Sequence, residues 1–476
     1  MKRSLRIALA VAALTVTAVG CNPFLTGEGL NSDPNNPITA TRQTLFMGVQ
    51  ANTFGQQESS VALTTCMWLQ QCTGGGGRFV EEFGHYVIDE GSHSFDFNSV
   101  YTGGGLIDIR AIEASAAAAP DSIFLGVAQI YEALVIGTAA DLWGDIPYTQ
   151  ALQVAAPQLD NQFAVYDSVQ ALLSRAIVNL GGNGPGPLDR DLVFGGDAAK
   201  WIAVAHTMKA RYFLHTVEAA AAGQLGARTA AQVYADVLAQ ASLGIADASA
   251  GSDFAAFHGQ ATSERNVWFQ FSQTTFGIDL VAGKYLVDLM KARSDPRLPQ
   301  YFGVNAGGGY GGDDVNAPQL PDSISAIDGT RNAPDFRQPF VTYAENELIL
   351  AEANNQGAVP NDPVALTHLN AERTAAGFGT PLAAITGTAL LDSIISEKYV
   401  ALFQNVEAWS DYKRTCQPAF TPYLIVNGAS PVFNDKLPGR FYYGSNERNT
   451  NPNIPAPSAQ LATNGFRNRN DPNACP

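Results

Sequence analysis

The stretch PDSIFLGVAQIYEALVIGTAADLW, residues 120–143, constrains the fold more than any other part of the chain. Phe124, Val127, Ile130, Tyr131, Leu134 and Val135 recur at steps of three and four, so a helix gathers them into one broad stripe that must be buried. Pro120 and Asp121 suit its start. The helical period holds from 105 to 242. In 162–181, Tyr166, Val169, Leu172, Leu173, Ala176 and Leu180 face inward and Gly181 stops the helix. In 197–221, Asp197 caps a helix carrying Trp201, Val204, Ala205, Met208 and Tyr212 on one side. A shorter helix follows Thr229. From 243 to 340 the chain is glycine-rich and mostly loop around the short helix GKYLVDLMKAR. Helices resume at Thr342, where Thr342 and Glu345 fit a capping box. Asp362 and Pro363 start another helix. A last stripe places Leu391, Ile394, Ile395, Tyr399, Leu402 and Phe403 together, and the tail after 416 is irregular. Successive amphipathic helices joined by short turns predict a mainly α fold of stacked, tetratricopeptide-like hairpins with long irregular loops, although no 34-residue period is visible.

The N-terminus reads differently. Lys2, Arg3 and Arg6 precede an apolar run from Ile7 to Val19 that is too short to span a bilayer, and Ala18-Val19-Gly20 lead into Cys21. This is the pattern of a secretory signal ending in a lipobox, with Ala18 where leucine is more usual. The expected organisation is a lipoprotein signal at 1–20, a lipidated polar tether at 21–40 and one domain over 41–476. Acylation of Cys21 would anchor the protein to a membrane without a transmembrane helix, and Asn22 in place of aspartate favours the outer membrane. Losing the three basic residues takes the net charge from −16 to −19, which opposes binding to nucleic acid. Four cysteines then remain in an oxidising compartment. Three pairings are open, of which Cys66 with Cys72 and Cys416 with Cys475 is preferred, because the second would hold a Pro- and Asn-rich tail.

A search for chemistry returns little. In AADLWGDIPY, residues 139–148, Asp141 and Asp145 flank Trp143 and resemble an acid pair beside a stacking ring. Gly144 and Ile146-Pro147 end the helix between them, so helical spacing does not set their geometry, and Trp143 reads as a core plug. The segment EEFGHYVIDEGSH gathers Glu81, Glu82, His85, Asp89, Glu90 and His93 without a recognised metal-ligand spacing, so a solvated acidic loop is the better reading. Glycine runs at 74–77, 181–186 and 307–312 lack a following GKS/T, and no GxSxG occurs. The expectation is a binding protein with no cofactor and no metal. Aromatic rings in loops beside Asn, Gln and Asp suit sugar rings. The candidate ligand contacts are Trp68, Phe79, Phe83, Tyr86, Phe95 and Phe97, with Trp268 and Tyr310.

Several segments, in this order along the chain, carry a resemblance: DPNNPITAT, AADLWGDIPYTQAL, FGGDAAKWIAVAHTMKARY, LVDLMKARSDPRLPQYF, FVTYAENELILAEA, SEKYVALFQNVEAWSDYKRT and LPGRFYYGSNERNTNPN. With the lipobox Cys21, this series resembles the SusD/RagB family of outer-membrane nutrient-binding lipoproteins. The resemblance implies a SusD-like helical fold with an irregular ligand-binding face and no catalysis. It also implies a SusC-like TonB-dependent barrel as partner, over which the lipoprotein sits as an extracellular lid delivering an oligosaccharide or, in some members, a peptide. The aromatic arc of the starch-binding member has no matching motif here, so it transfers to no residue of this sequence. A tetratricopeptide-like interaction scaffold that binds no glycan is the alternative.

Overall fold

The computed structural model describes residues 40–74, 83–274, 277–424, 436–472 and Cys475. The signal, Cys21 and all of the expected tether except Ala40 lie outside the described residues. Helices of nine or more residues are α1 (Arg42–Glu58), α2 (Ser60–Trp68), α3 (Leu106–Ala118), α4 (Ser122–Trp143), α5 (Gln162–Leu180), α6 (Ala198–Leu214) and α7 (Ala230–Ala241). After these come α8 (Lys284–Ala292), α9 (Tyr343–Gln356), α10 (Asp362–Ala375), α11 (Gly387–Ala401) and α12 (Glu407–Thr415). Among the described residues there are also shorter helices and four short strands: β1 (Cys72–Gly74), β2 (Phe254–Ala255), β3 (Leu280–Ala282) and β4 (Pro339–Val341). The protein is mainly α, built from successive helical hairpins.

Every inward-facing residue expected on α4, α5 and α6 is buried. In the last stripe Ile394, Ile395, Tyr399, Leu402 and Phe403 are buried as expected; only its first position differs, Leu390 being buried and Leu391 half-buried. α4 is long and apolar enough to cross a membrane, but its residues are largely enclosed by protein, as in a central core helix. It packs on α3, α5 and α6, and Gly137 lets α6 come close, since a Cβ there would lie 2.2 Å from the Tyr212 ring. No helix was expected before residue 105, yet α1 and α2 are present. α1 carries its buried Phe46, Val49 and Phe54 among Gln, Asn and Gly, which dilutes the apolar period.

Helix ends follow local chemistry. Asp121 accepts from Phe124 N, and Asp197 from Ala199 N and Lys200 N. Thr342 caps α9, but Glu345 does not return to it; that carboxylate pairs with Arg211 instead. The reciprocal capping box sits at Thr229 and Gln232. Asn361, one residue earlier than expected, caps α10.

The hairpins stack in space as α4 on α5, α5 on α6, α6 on α7, α7 on α9, and α9 on α10 and α11. α7 and α9 are neighbours although the long excursion separates them in sequence. Its two ends meet at the antiparallel pair β2–β4, with Phe254 opposite Val341, so the chain leaves and re-enters the stack at one point.

Between these helices lies a layer of paired ions. Arg414 bonds both Glu352 oxygens and Asp411, Lys398 reaches Asp411, and Arg297 engages Asp295, Glu372 and Glu397. All these side chains are nearly solvent-free. Buried charges persist only when paired in this way, and removing one partner costs about 3–5 kcal/mol.

Candidate ligand-binding site

The irregular segments converge on one face because short-range pairings pin them there. β1 pairs antiparallel with β3, placing Cys72 opposite Ala282 and Gly74 opposite Leu280. Asp313 joins the same edge, donating its N–H to Ala282 O at 2.8 Å and accepting from Lys284 N at 2.8 Å. The Asn316 side chain then grips the tail, donating to Pro422 O at 3.0 Å and accepting from Leu424 N at 2.7 Å. The Tyr86 hydroxyl accepts from Tyr423 N at 3.0 Å, and Gln70 donates to Thr421 O. On this platform the His85 imidazole stacks on the Tyr423 ring, centroids 3.8 Å apart and planes within 12°. Both rings are half-buried, and Asn316 and Thr421 beside them are exposed. A flat ring pair bordered by amides and hydroxyls suits the apolar face and the rim hydroxyls of a sugar.

Cysteine pairing supports the same face. Cys66 is bonded to Cys72, joining the end of α2 to β1, and Cys416 to Cys475, holding the tail against α12. Four of the rings expected to contact ligand are core instead. Trp68 is fully buried, stacked on Phe441 at 4.8 Å and edge-on to Trp409, with its indole N–H donating to Phe83 O. Phe97 is fully buried against Trp143 and Tyr443. Trp268 is 4% exposed, and the Tyr86 ring 3%. These rings have no face left for a ligand, because large aromatics bordering helices are what closes the core. Phe83 is half-buried and meets His93, whereas Phe95 is 81% exposed. Half-buried Tyr310 lies beside α8, its carbonyl accepting from Lys291 Nζ. Phe79 lies outside the described residues. Tyr423 was missed, since AFTPYLIV reads only as irregular tail; the Cys416–Cys475 link was the one sequence signal that this tail is fixed.

The acids of the His85 loop have internal roles. Asp89 accepts from Gly91 N and Ser92 N, Glu90 pairs with Arg448 at 2.6 Å, and His93 meets Asp96 at 3.2 Å. Glu81 and Glu82 lie outside the described residues.

Asp141 and Asp145 separate as the sequence indicates. α4 ends at Trp143, which is buried with its indole N–H donating to Tyr442 O at 2.9 Å. Gly144 has φ +77°, and a Cβ there would lie 2.6 Å from Asn468 Oδ1, so this position requires glycine. Asp145 turns outward to a bidentate pair with Arg469. Asp141 turns inward, accepting from Tyr166 OH at 2.5 Å and His215 Nδ1 at 2.8 Å, while His215 Nε2 donates to Glu407 at 2.7 Å. Burial alone would lower the His215 pKa, but the two carboxylates outweigh it and raise it to about 10. Asp141, His215 and Glu407 are close enough together to suggest a metal triad. A protonated imidazole would satisfy both carboxylates at once, and Arg211 adds a further cation 3.6 Å from Glu407, so the cluster fits a buried ion-pair network.

A helical-repeat scaffold bearing one irregular, ring-lined face is the architecture of a ligand-binding protein. The chain belongs to the SusD-like family, described as starch-binding and associating with the outer membrane, whose model matches residues 34–444. Among solved structures it is similar to a chitin-binding protein at 21% identity and TM-score 0.72, covering 91% of this chain and all of that one. A chitin-binding SusD homologue from Flavobacterium johnsoniae gives 18% and 0.71, with 90% and 99% covered. A SusD/RagB family protein from Bacteroides thetaiotaomicron gives 18% and 0.66, with 90% and 97% covered. No curated protein matches the sequence.

Proposed function

We propose that the protein is a cell-surface lipoprotein of the outer membrane, anchored through Cys21, that captures oligosaccharides on the His85–Tyr423 face and delivers them to a SusC-like TonB-dependent barrel. The observation that carries this reading is the convergence of otherwise irregular segments on one stacked, half-buried ring pair. Among the described residues its polar groups, besides the His85 imidazole, are amides, hydroxyls and backbone, and the role we assign is capture without bond breaking. The lipobox and the family's description support the membrane placement. Chitin-derived oligosaccharides are the first ligands to test, given the names of two structural neighbours.

Calorimetry of the full chain in detergent against chitin- and starch-derived oligosaccharides and a peptide panel tests the proposal. Tyr423→Ala removes one stacking face worth about 1 kcal/mol, so saccharide affinity should fall about fivefold. Binding of peptides alone, or saccharide binding untouched by Tyr423→Ala, overturns it. A pull-down of the intact lipoprotein that recovers no outer-membrane barrel overturns the delivery role.

A further inference from the structure

On a different part of the surface, where the tail folds back on the end of α4, a cleft of 590 Å³ opens between Asp145, Phe163, Gln224, Arg440, Arg467 and Arg469. It shares no residue with the His85–Tyr423 face, and its volume falls within the roughly 300–1,000 Å³ usual for small-molecule sites. Three guanidinium groups meet one carboxylate there, in a chain of net charge −16.

Its arginines are not used as the buried arginines of the helical stack are. Arg211, Arg297 and Arg414 each face carboxylates. Arg467 instead donates to the carbonyls of Asn464 and Pro472. Arg440 donates to Phe441 O and lies over the Tyr443 ring at 4.7 Å. Neither has a carboxylate partner among the described residues. Arg440 is 3% exposed and its Nη2 has no hydrogen-bond partner among the described residues. A buried guanidinium N–H left unmade is costly, and an incoming acceptor removes that cost. Arg469 is committed to Asp145, which fixes the rim and leaves Arg440 and Arg467 as the free positive charge. A second hollow of 290 Å³ shares Phe163 and Gln224 with the first and continues toward Phe213 and Arg228. The two hollows therefore adjoin at Phe163 and Gln224, with Arg440 and Arg467 lining only the first.

We propose that this cleft holds the carboxylate of an acidic oligosaccharide, with Arg440 and Arg467 as the recognising groups, so that the protein takes uronate-containing chains. The inference rests on the saccharide-capture reading. Guanidinium groups bind carboxylates through short, often bidentate charge-assisted bonds, roughly twice as strong as the neutral bonds that a sugar hydroxyl would accept from Arg440.

The experiment compares trigalacturonate, its methyl ester and inorganic sulfate by calorimetry on the full chain. The free acid should bind about tenfold or more tightly than the ester, and Arg467→Gln should remove most of that preference, with circular dichroism showing the variant folded although it loses the bonds to Asn464 O and Pro472 O. Arg467 is half-buried, so it remains a usable variant if Arg440→Gln does not fold. Equal binding of acid and ester, or a preference that largely survives Arg467→Gln, overturns the cleft while leaving the ring face intact. Sulfate binding as tightly as trigalacturonate assigns the cleft to a free anion and also overturns the proposal. Acid binding that needs Arg467, with neutral saccharides binding nowhere and Tyr423→Ala silent, upholds the cleft and overturns the ring face.

Discussion

Asp141→Asn tests whether the Asp141–His215–Glu407 cluster is a structural ion pair. Asparagine keeps the shape and an acceptor for Tyr166 OH, so the change removes little besides charge. Two unit charges about 4 Å apart interact by about 4 kcal/mol at the effective dielectric that suits protein sites. A second route gives the same size. His215 has a folded pKa of about 10 against 6.5 for the free group, so at pH 7 its bound proton contributes about 4 kcal/mol. The expected loss is therefore about 3–5 kcal/mol. Because the folded pKa is the higher one, the native state holds the extra proton between about 6.5 and 10. This contribution is complete below pH 6.5 and disappears as pH rises through 10, with a slope of at most about 1.4 kcal/mol per pH unit. Urea unfolding followed by tryptophan fluorescence, from pH 6 to 10, reads both effects. In the variant the stability falls and the slope across this window flattens, since only Glu407 remains opposite the imidazole. A loss under about 1 kcal/mol with the wild-type slope retained would falsify the ion-pair reading. Asp145→Asn is the internal control: its partner Arg469 is 50% exposed, so about 1 kcal/mol or less is expected.

Gly144→Ala should cost about 1–3 kcal/mol in chemical unfolding, from the positive φ and the contact with Asn468; an unchanged midpoint would exclude that tight approach. Replacing Cys416 and Cys475 by serine opens a loop with a sequence separation of 59, and loop entropy sets the expected loss near 4 kcal/mol, measured as a lowered urea midpoint; an unchanged midpoint would contradict it. The Glu113 carboxyl is pushed up to about 9, first by burial and then by Glu132, so it stays protonated in the folded state while the unfolded chain ionises near 4.5. Its share of the stability should consequently decline as pH rises from about 4.5 to 9, and Glu113→Gln should remove that share, leaving the His215 decline in place. An identical pH profile in wild type and variant would contradict it.

The helical scaffold was legible in the sequence, and the ligand face was not, for reasons visible at single residues. Trp201, Val204, Ala205 and Met208 announce their burial through spacing, because one helix face must be covered whatever covers it. Trp68 and Phe97 carry no such signal. Their burial is decided by Trp409, Phe441 and Tyr443, which arrive from the far end of the chain. Composition alone therefore assigned them to the ligand. His85 and Tyr423 come together only because Asn316 and Tyr86 hold two loops in register, and no periodicity describes such an arrangement. Arg440 and Arg467 were invisible for the same reason: their cleft exists only once the tail crosses the end of α4. In AADLWGDIPY the reading from residues succeeded, because Gly144 and Pro147 fix the chain locally.

The meeting of β2 and β4 has a consequence for how such proteins diversify. Since the excursion from 256 to 338 begins and ends at adjacent rungs, its closure entropy is met there once, and lengthening it adds only about 0.6 kcal/mol per doubling. α7 and α9 keep their contact whatever the excursion carries. Insertions and deletions can therefore accumulate in its exposed loops without a matching change in the helical stack, provided that Arg297 keeps its buried pairing with Glu372 and Glu397. Relatives with the same stack should accordingly differ most in the exposed loops between these two strands, and a transplanted excursion cut at 255 and 339 has to carry Arg297 with it.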